Sequence, residues 1–121
     1  MFISAERFDA LVFAVAEEIL AQLPPDLRVE AETVILEAAE RPPRREGPEV
    51  LLGLYEGVPL VERSPDCPPL APDRITLFRG ALAAGARTEA ELRVDIRRTL
   101  VHELGHFFGF DEWELEARGW G

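Results

Sequence analysis

The stretch HELGH, residues 102–106, contains both histidines of the chain and a glutamate between them. On a helix, residues four apart lie on one face one turn apart, so His102 and His106 can turn their imidazoles to a single metal ion. Glu103 lies one step round from His102. Two neutral nitrogen ligands plus a carboxylate within reach of a metal-bound water make a hydrolytic centre: zinc lowers the pKa of the water toward neutrality, and the carboxylate takes its proton. With average composition the pattern arises by chance in a chain of this length roughly one time in a few hundred. Glu103 is therefore the candidate catalytic residue, and His102 and His106 are the candidate zinc ligands.

Hydrolytic zinc sites usually have three protein ligands and one open position. The motif extends to HELGHFFGFDE, and Gly109 lies three residues beyond His106. Glycine accepts a positive φ without a Cβ penalty, so the chain can leave the helix there and double back. Glu112, three residues further on, is the candidate third ligand, with Asp111 as its competitor. Both also suit a second role, since acidic residues are favoured at the start of a short terminal helix. Tyr55, the one tyrosine, is a candidate for a substrate or oxyanion contact, against a plain role as a half-buried strand aromatic. Cys67, in SPDCPPL, reads as an ordinary loop cysteine and cannot form an internal disulfide, being the only one.

The elements that must carry these groups can be read from spacing and punctuation. Residues 4–24 form a first helix, N-capped by Ser4, with Phe8, Leu11, Val12, Val15, Ile19 and Leu23 on one face, stopped by Pro24 and Pro25. Residues 29–40 predict a strand centred on 33–36, residues 50–57 a second and 74–80 a third. A proline-rich loop fills 57–73, and 81–86 suggests a helical turn. Thr88 and Glu91 have capping-box spacing, so the next helix runs from there to about Phe108 and stops at Gly109. On its helical wheel Leu92, Ile96, Leu100, Val101, Leu104, Phe107 and Phe108 share a broad apolar arc, with Arg93 and Arg97 falling inside it. His102 and His106 lie outside the arc, beside Asp95 and Thr99. Residues 111–120 predict a short terminal helix pinned by Trp113 and Trp120. The order α-β-β-β-α-α implies an α+β fold, a short sheet packed against the first helix and the HELGH helix.

A chain of 121 residues suits one domain, 1–121. The net charge of −10 makes a general nucleic-acid binder a poor fit, because such affinity rests on neutralising phosphates. RPPRR at 41–45 is a local exception that reads as a solvated loop. All 13 basic residues are arginine. No apolar run is long enough for a membrane span, no signal peptide is visible at the N-terminus, and the lone cysteine fits a reducing cytoplasm.

The segment TLVHELGHFFGFDEWELEARGW resembles the small bacterial zincin-like metallopeptidases, the minimal zincins, whose pattern is HExxHxxGxxD followed by a short acidic helix and a terminal Gly-Trp. GLYEG at 53–57 and RITLFR at 74–79 extend the resemblance over most of the chain. The departure is Glu112, which stands where the family has aspartate. The resemblance implies a zincin-like fold and a metal-dependent peptidase, which with the HELGH motif reads as one Zn2+ per chain and zinc-dependent hydrolysis of peptide bonds; the shallow cleft expected of so small a chain suits a peptide or flexible protein as substrate. The alternative is a metal- or peptide-binding module with little or no turnover. A zinc-dependent endoribonuclease fits less well: the bacterial rRNA-maturation enzymes with an HxxxHxxGxxH helix lack a glutamate after the first histidine and need a basic surface.

Overall fold

The computed structural model describes residues 1–42 and 50–110, together with Glu114 and Ala117. In chain order the elements are α1 (Ala5–Gln22), α2 (Pro25–Ala31), β1 (Ile35–Ala39), β2 (Gly53–Glu56), a 3-10 turn (Leu60–Glu62), β3 (Arg74–Phe78), α3 (Arg79–Ala84) and α4 (Glu89–Phe108). The three strands form a mixed sheet in the order β1-β3-β2. β1 runs parallel to β3, with Ile35 opposite Arg74 and Ala39 opposite Phe78. β2 runs antiparallel to β3, with Gly53 opposite Leu77 and Glu56 opposite Arg74. The architecture is the α+β arrangement expected.

α1 forms as its sequence dictates. The Ser4 side chain accepts from the Arg7 N–H, and Phe8, Leu11, Val12, Val15 and Ile19 are buried. These side chains join Ile75 and Leu77 of β3 and Leu92, Ile96, Leu100, Leu104 and Phe107 of α4 in one continuous apolar cluster. α4 begins at Thr88, whose hydroxyl accepts from the Glu91 N–H at 3.2 Å. The reciprocal half of the capping box is displaced by one residue: the Glu91 carboxylate accepts from the N–H of Arg87 at 2.7 Å. Gly109 ends the helix in the left-handed region, φ 81° and ψ 23°. There the Phe110 N–H donates to the Gly105 carbonyl at 2.8 Å, closing a Schellman-type cap.

Several expectations need correction. The strand expected over 29–40 starts only at Ile35, because Pro25–Ala31 is helical. Pro25 sits in the first turn of that helix, where its fixed φ and missing N–H are harmless, and Asp26 follows it there. Pro24 and Pro25 thus start a helix as well as stopping one. Thr33 and Val34, β-branched and strand-like in isolation, are held in the turn after α2 by N–H bonds to the Glu30 and Ala31 carbonyls. The third strand stops at Phe78, and the expected turn at 81–86 is a helix starting at Arg79. The arginines inside the apolar arc of α4 do not enter the core. Arg93 reaches the Glu18 carboxylate and Arg97 donates to Gln22 Oε1 at 3.0 Å, so both bridge α4 to α1 with their charged heads outside. RPPRR lies mostly outside the described residues, as do Trp113 and Trp120. Of the expected terminal helix, the described Glu114 and Ala117 are helical. No helix among the described residues is long and apolar enough to cross a membrane.

Candidate metal centre

α4 presents two sides to the rest of the molecule. One packs on α1. The other meets β2, and glycine makes that contact close: a Cβ on Gly53 would stand 2.7 Å from Thr99 Cγ2. Thr99, placed by the wheel outside the apolar arc, is therefore buried, its hydroxyl donating to the Asp95 carbonyl at 2.8 Å. A ring further along, Tyr55 packs edge-on against Phe107 with centroids 6.1 Å apart. Between these two contacts lies Glu103.

His102 Nε2 and His106 Nε2 are 3.1 Å apart, with the rings inclined at 65°. Two nitrogens each 2.0–2.1 Å from a tetrahedral zinc ion would be separated by about 3.3 Å, so the pair fits one ion between them. Ligand atoms of His102, Glu103 and His106 all lie within 4.8 Å of one another, and among the described residues this is the group able to hold a metal. His106 is exposed and His102 half-buried, which leaves one side of the pair open to solvent. Asp111 and Glu112, the candidates for a third ligand, lie outside the described residues.

Burial pushes the Glu103 carboxyl above the usual carboxylate range, while the two imidazoles and the Tyr55 backbone pull it back. The sheet geometry explains the last contribution. The Phe78 N–H donates to the Leu52 carbonyl at 2.9 Å, one pair beyond Gly53 and Leu77. Hydrogen-bonded pairs alternate in an antiparallel ladder, so Leu54 and Glu56 face β3, and the N–H and C=O groups of Gly53 and Tyr55 turn to the other side of the strand. Among the described residues no strand pairs with that side. It is the side from which the Tyr55 backbone meets Glu103.

A profile of zincin-like metallopeptidases matches residues 26–120. The chain belongs to the zincin-like metallopeptidase family. Membership in this family implies zinc, and it places the HELGH helix within the matched segment. No curated protein matches the chain.

In this family member the Tyr55 phenol does not point to solvent. It donates to Asp73 Oδ2, so donating to a substrate carbonyl or an oxyanion would require that bond to break. Asp73 is buried, with 4% of its surface exposed, and its other oxygen accepts from Arg63 Nη2 at 2.6 Å. Arg63 also donates to the Val58 carbonyl at 2.9 Å and stands 5.6 Å over the Phe107 ring. Sequence reasoning missed Asp73, Arg63 and Gly53. GLYEG gave only a strand and part of the family resemblance; nothing local marks an aspartate at the end of a proline-rich loop as a buried acceptor. Cys67 is an exposed loop residue bridged to Ser64 and is not part of the metal group.

Proposed function

We propose that the chain is a zinc-dependent peptidase acting on short or flexible peptides. The observation that carries this reading is the 3.1 Å approach of the two imidazole nitrogens beside a half-buried Glu103. His102 and His106 hold the metal, and Glu112, or Asp111 in its place, completes the ligand set. Zinc bound there supplies a Lewis acid for the scissile carbonyl and lowers the pKa of water. Glu103 takes the water's proton and passes it to the leaving amine. An extended peptide pairs with the outward backbone groups of β2 that Glu103 leaves free, the N–H and C=O of Gly53 and the C=O of Tyr55, which fixes the scissile bond over the site. The substrate is a peptide rather than a nucleic acid, because the charge of −10 repels phosphates. The protein works in the cytoplasm without a membrane.

A second reading, a metal- or peptide-binding module with little turnover, draws on one observation. Both histidines are in the motif and the phenol of Tyr55 is engaged with Asp73, so neither an imidazole outside the motif nor the phenol is at hand to donate to an oxyanion.

Elemental analysis of the purified protein beside His106→Ala tests the metal, and Glu103→Gln tests the chemistry. About one zinc per chain, lost in His106→Ala, supports the site. With Glu103→Gln we expect zinc to be retained and peptide turnover to fall by about 10²–10⁴-fold, the usual range for a positioned acid-base group. Turnover unchanged in Glu103→Gln would remove the base assignment, and turnover absent in the wild type with zinc bound would favour the binding module.

A further inference from the structure

The Asp73 cluster joins three parts that are distant in sequence. Tyr55 belongs to β2, Arg63 follows the 3-10 turn, and Phe107 belongs to α4. Asp73 itself ends the loop before β3, and its backbone carbonyl accepts from the Ile35 N–H at 2.8 Å, where β1 starts. A carboxylate this buried is costly unless each oxygen is paired, and here both are. Gly57 is shaped to admit it: φ is 153° and a Cβ would stand 2.5 Å from Asp73 Cγ. The short edge strand β2 has four residues and one strand partner among those described. Such a strand has little to hold its position by itself. Among the described residues it is also fastened by the Gly53 contact with Thr99, the Tyr55 ring on Phe107, the Tyr55 backbone on Glu103 and the Tyr55 hydroxyl on Asp73.

We propose that Asp73 is a positioning residue: by binding the Tyr55 hydroxyl and Arg63 it locks β2 and the turn at 58–63 against α4, and so holds the outward backbone of Tyr55 beside Glu103. The inference rests on the peptidase reading for its catalytic consequence, but not for its structural one. The lock acts twice on the same strand. It sets where a peptide paired to Gly53 and Tyr55 would lie relative to the imidazole pair, and it keeps the Tyr55 N–H side facing the Glu103 carboxylate. Arg63 contributes by tying the turn to the same carboxylate while its guanidinium covers Phe107. Loss of the lock frees the strand without touching a metal ligand.

The test compares wild type with Asp73→Asn, Tyr55→Phe and Arg63→Gln, using amide hydrogen exchange on metal-free protein and zinc content and peptide kinetics on zinc-loaded protein. Tyr55→Phe keeps the ring on Phe107 and removes only the hydroxyl, so it remains informative if Asp73→Asn fails to fold. In Tyr55→Phe and Asp73→Asn the expected result is at least a tenfold faster exchange at positions 54–56, with amides of α1 and of β3 facing β1 unchanged. Zinc stays at the wild-type level, and kcat falls about tenfold more than KM changes, the size of effect a misplaced reacting group produces. Arg63→Gln should give a smaller loss in the same amides. Equal acceleration of all slow amides would make the cluster a matter of global stability and overturn the proposal, as would unchanged exchange at 54–56 in Tyr55→Phe. If the wild type cleaves no peptide, the peptidase reading fails while the exchange pattern still decides the lock.

Discussion

The Tyr55 phenol lies between burial and a carboxylate, and both push its pKa above the ordinary value, burial more than the bond to Asp73. Because the chain has one tyrosine, its ionisation can be followed alone by ultraviolet absorbance. The linkage has a definite sign. The pKa in the folded protein is raised above the unfolded value of about 10, so the contribution to stability is complete below that pH. It is lost as pH climbs from there through the folded value. We expect tyrosinate to form only well above pH 10, together with loss of near-ultraviolet circular dichroism. In Asp73→Asn it should form at lower pH, since the carboxylate that opposes the phenolate is gone. A wild-type titration at the ordinary value with the fold intact would mean that the phenol is not held by Asp73 in solution.

At the scale of elements, α4 carries the site, and its two ends are where sequence and structure agree most closely. Thr88→Ala removes the side-chain acceptor for the Glu91 N–H, and should cost about 1 kcal/mol by denaturant titration. Gly109→Ala should cost more. The left-handed backbone alone is worth about 1–2 kcal/mol against a Cβ, and the added atom would stand 2.3 Å from Val61 Cγ2. Val61 is 71% exposed, so Val61→Ala should be nearly silent alone and should recover part of the loss in the double variant. Strict additivity of the two would show that the clash is not what Gly109 avoids. These ends were legible because caps are local: a threonine or a glycine acts on backbone groups within four residues. The HELGH pair was legible for the same reason, four residues being one turn. α2 was not read, because Pro25 has opposite meanings at the end and at the start of a helix, and Val29 argued for a strand. The lock on β2 was not legible at all. Asp73 meets residues 10 and 18 positions away, and no spacing rule links a loop aspartate to them. The third ligand remains a sequence reading, since Asp111 and Glu112 lie outside the described residues.

For the whole molecule, the core and the site can be separated by mutation. Phe8 is fully buried in the cluster that joins α1 to α4, and Phe8→Ala should cost about 3–5 kcal/mol, a large part of the 5–15 kcal/mol typical of a domain. His106 is exposed, so His106→Ala should abolish zinc binding with little change in the melting temperature of the metal-free protein. A large loss of metal-free stability in that variant would mean that the imidazole pair is structural. The central strand of the sheet is also the last to be made. β1 and β2 leave the ribosome before β3, and neither pairs with the other. Until residue 78 has emerged, the two strands already synthesised have exposed edges and no partner, and the apolar face of α1 waits for α4 as well. The sheet therefore cannot be paired strand by strand from its N-terminal end. The central strand and the helix that covers α1 both lie beyond residue 73, and that helix also brings the imidazole pair, so a polypeptide arrested before it would lack the middle of the sheet, the α4 side of the core and the metal group together.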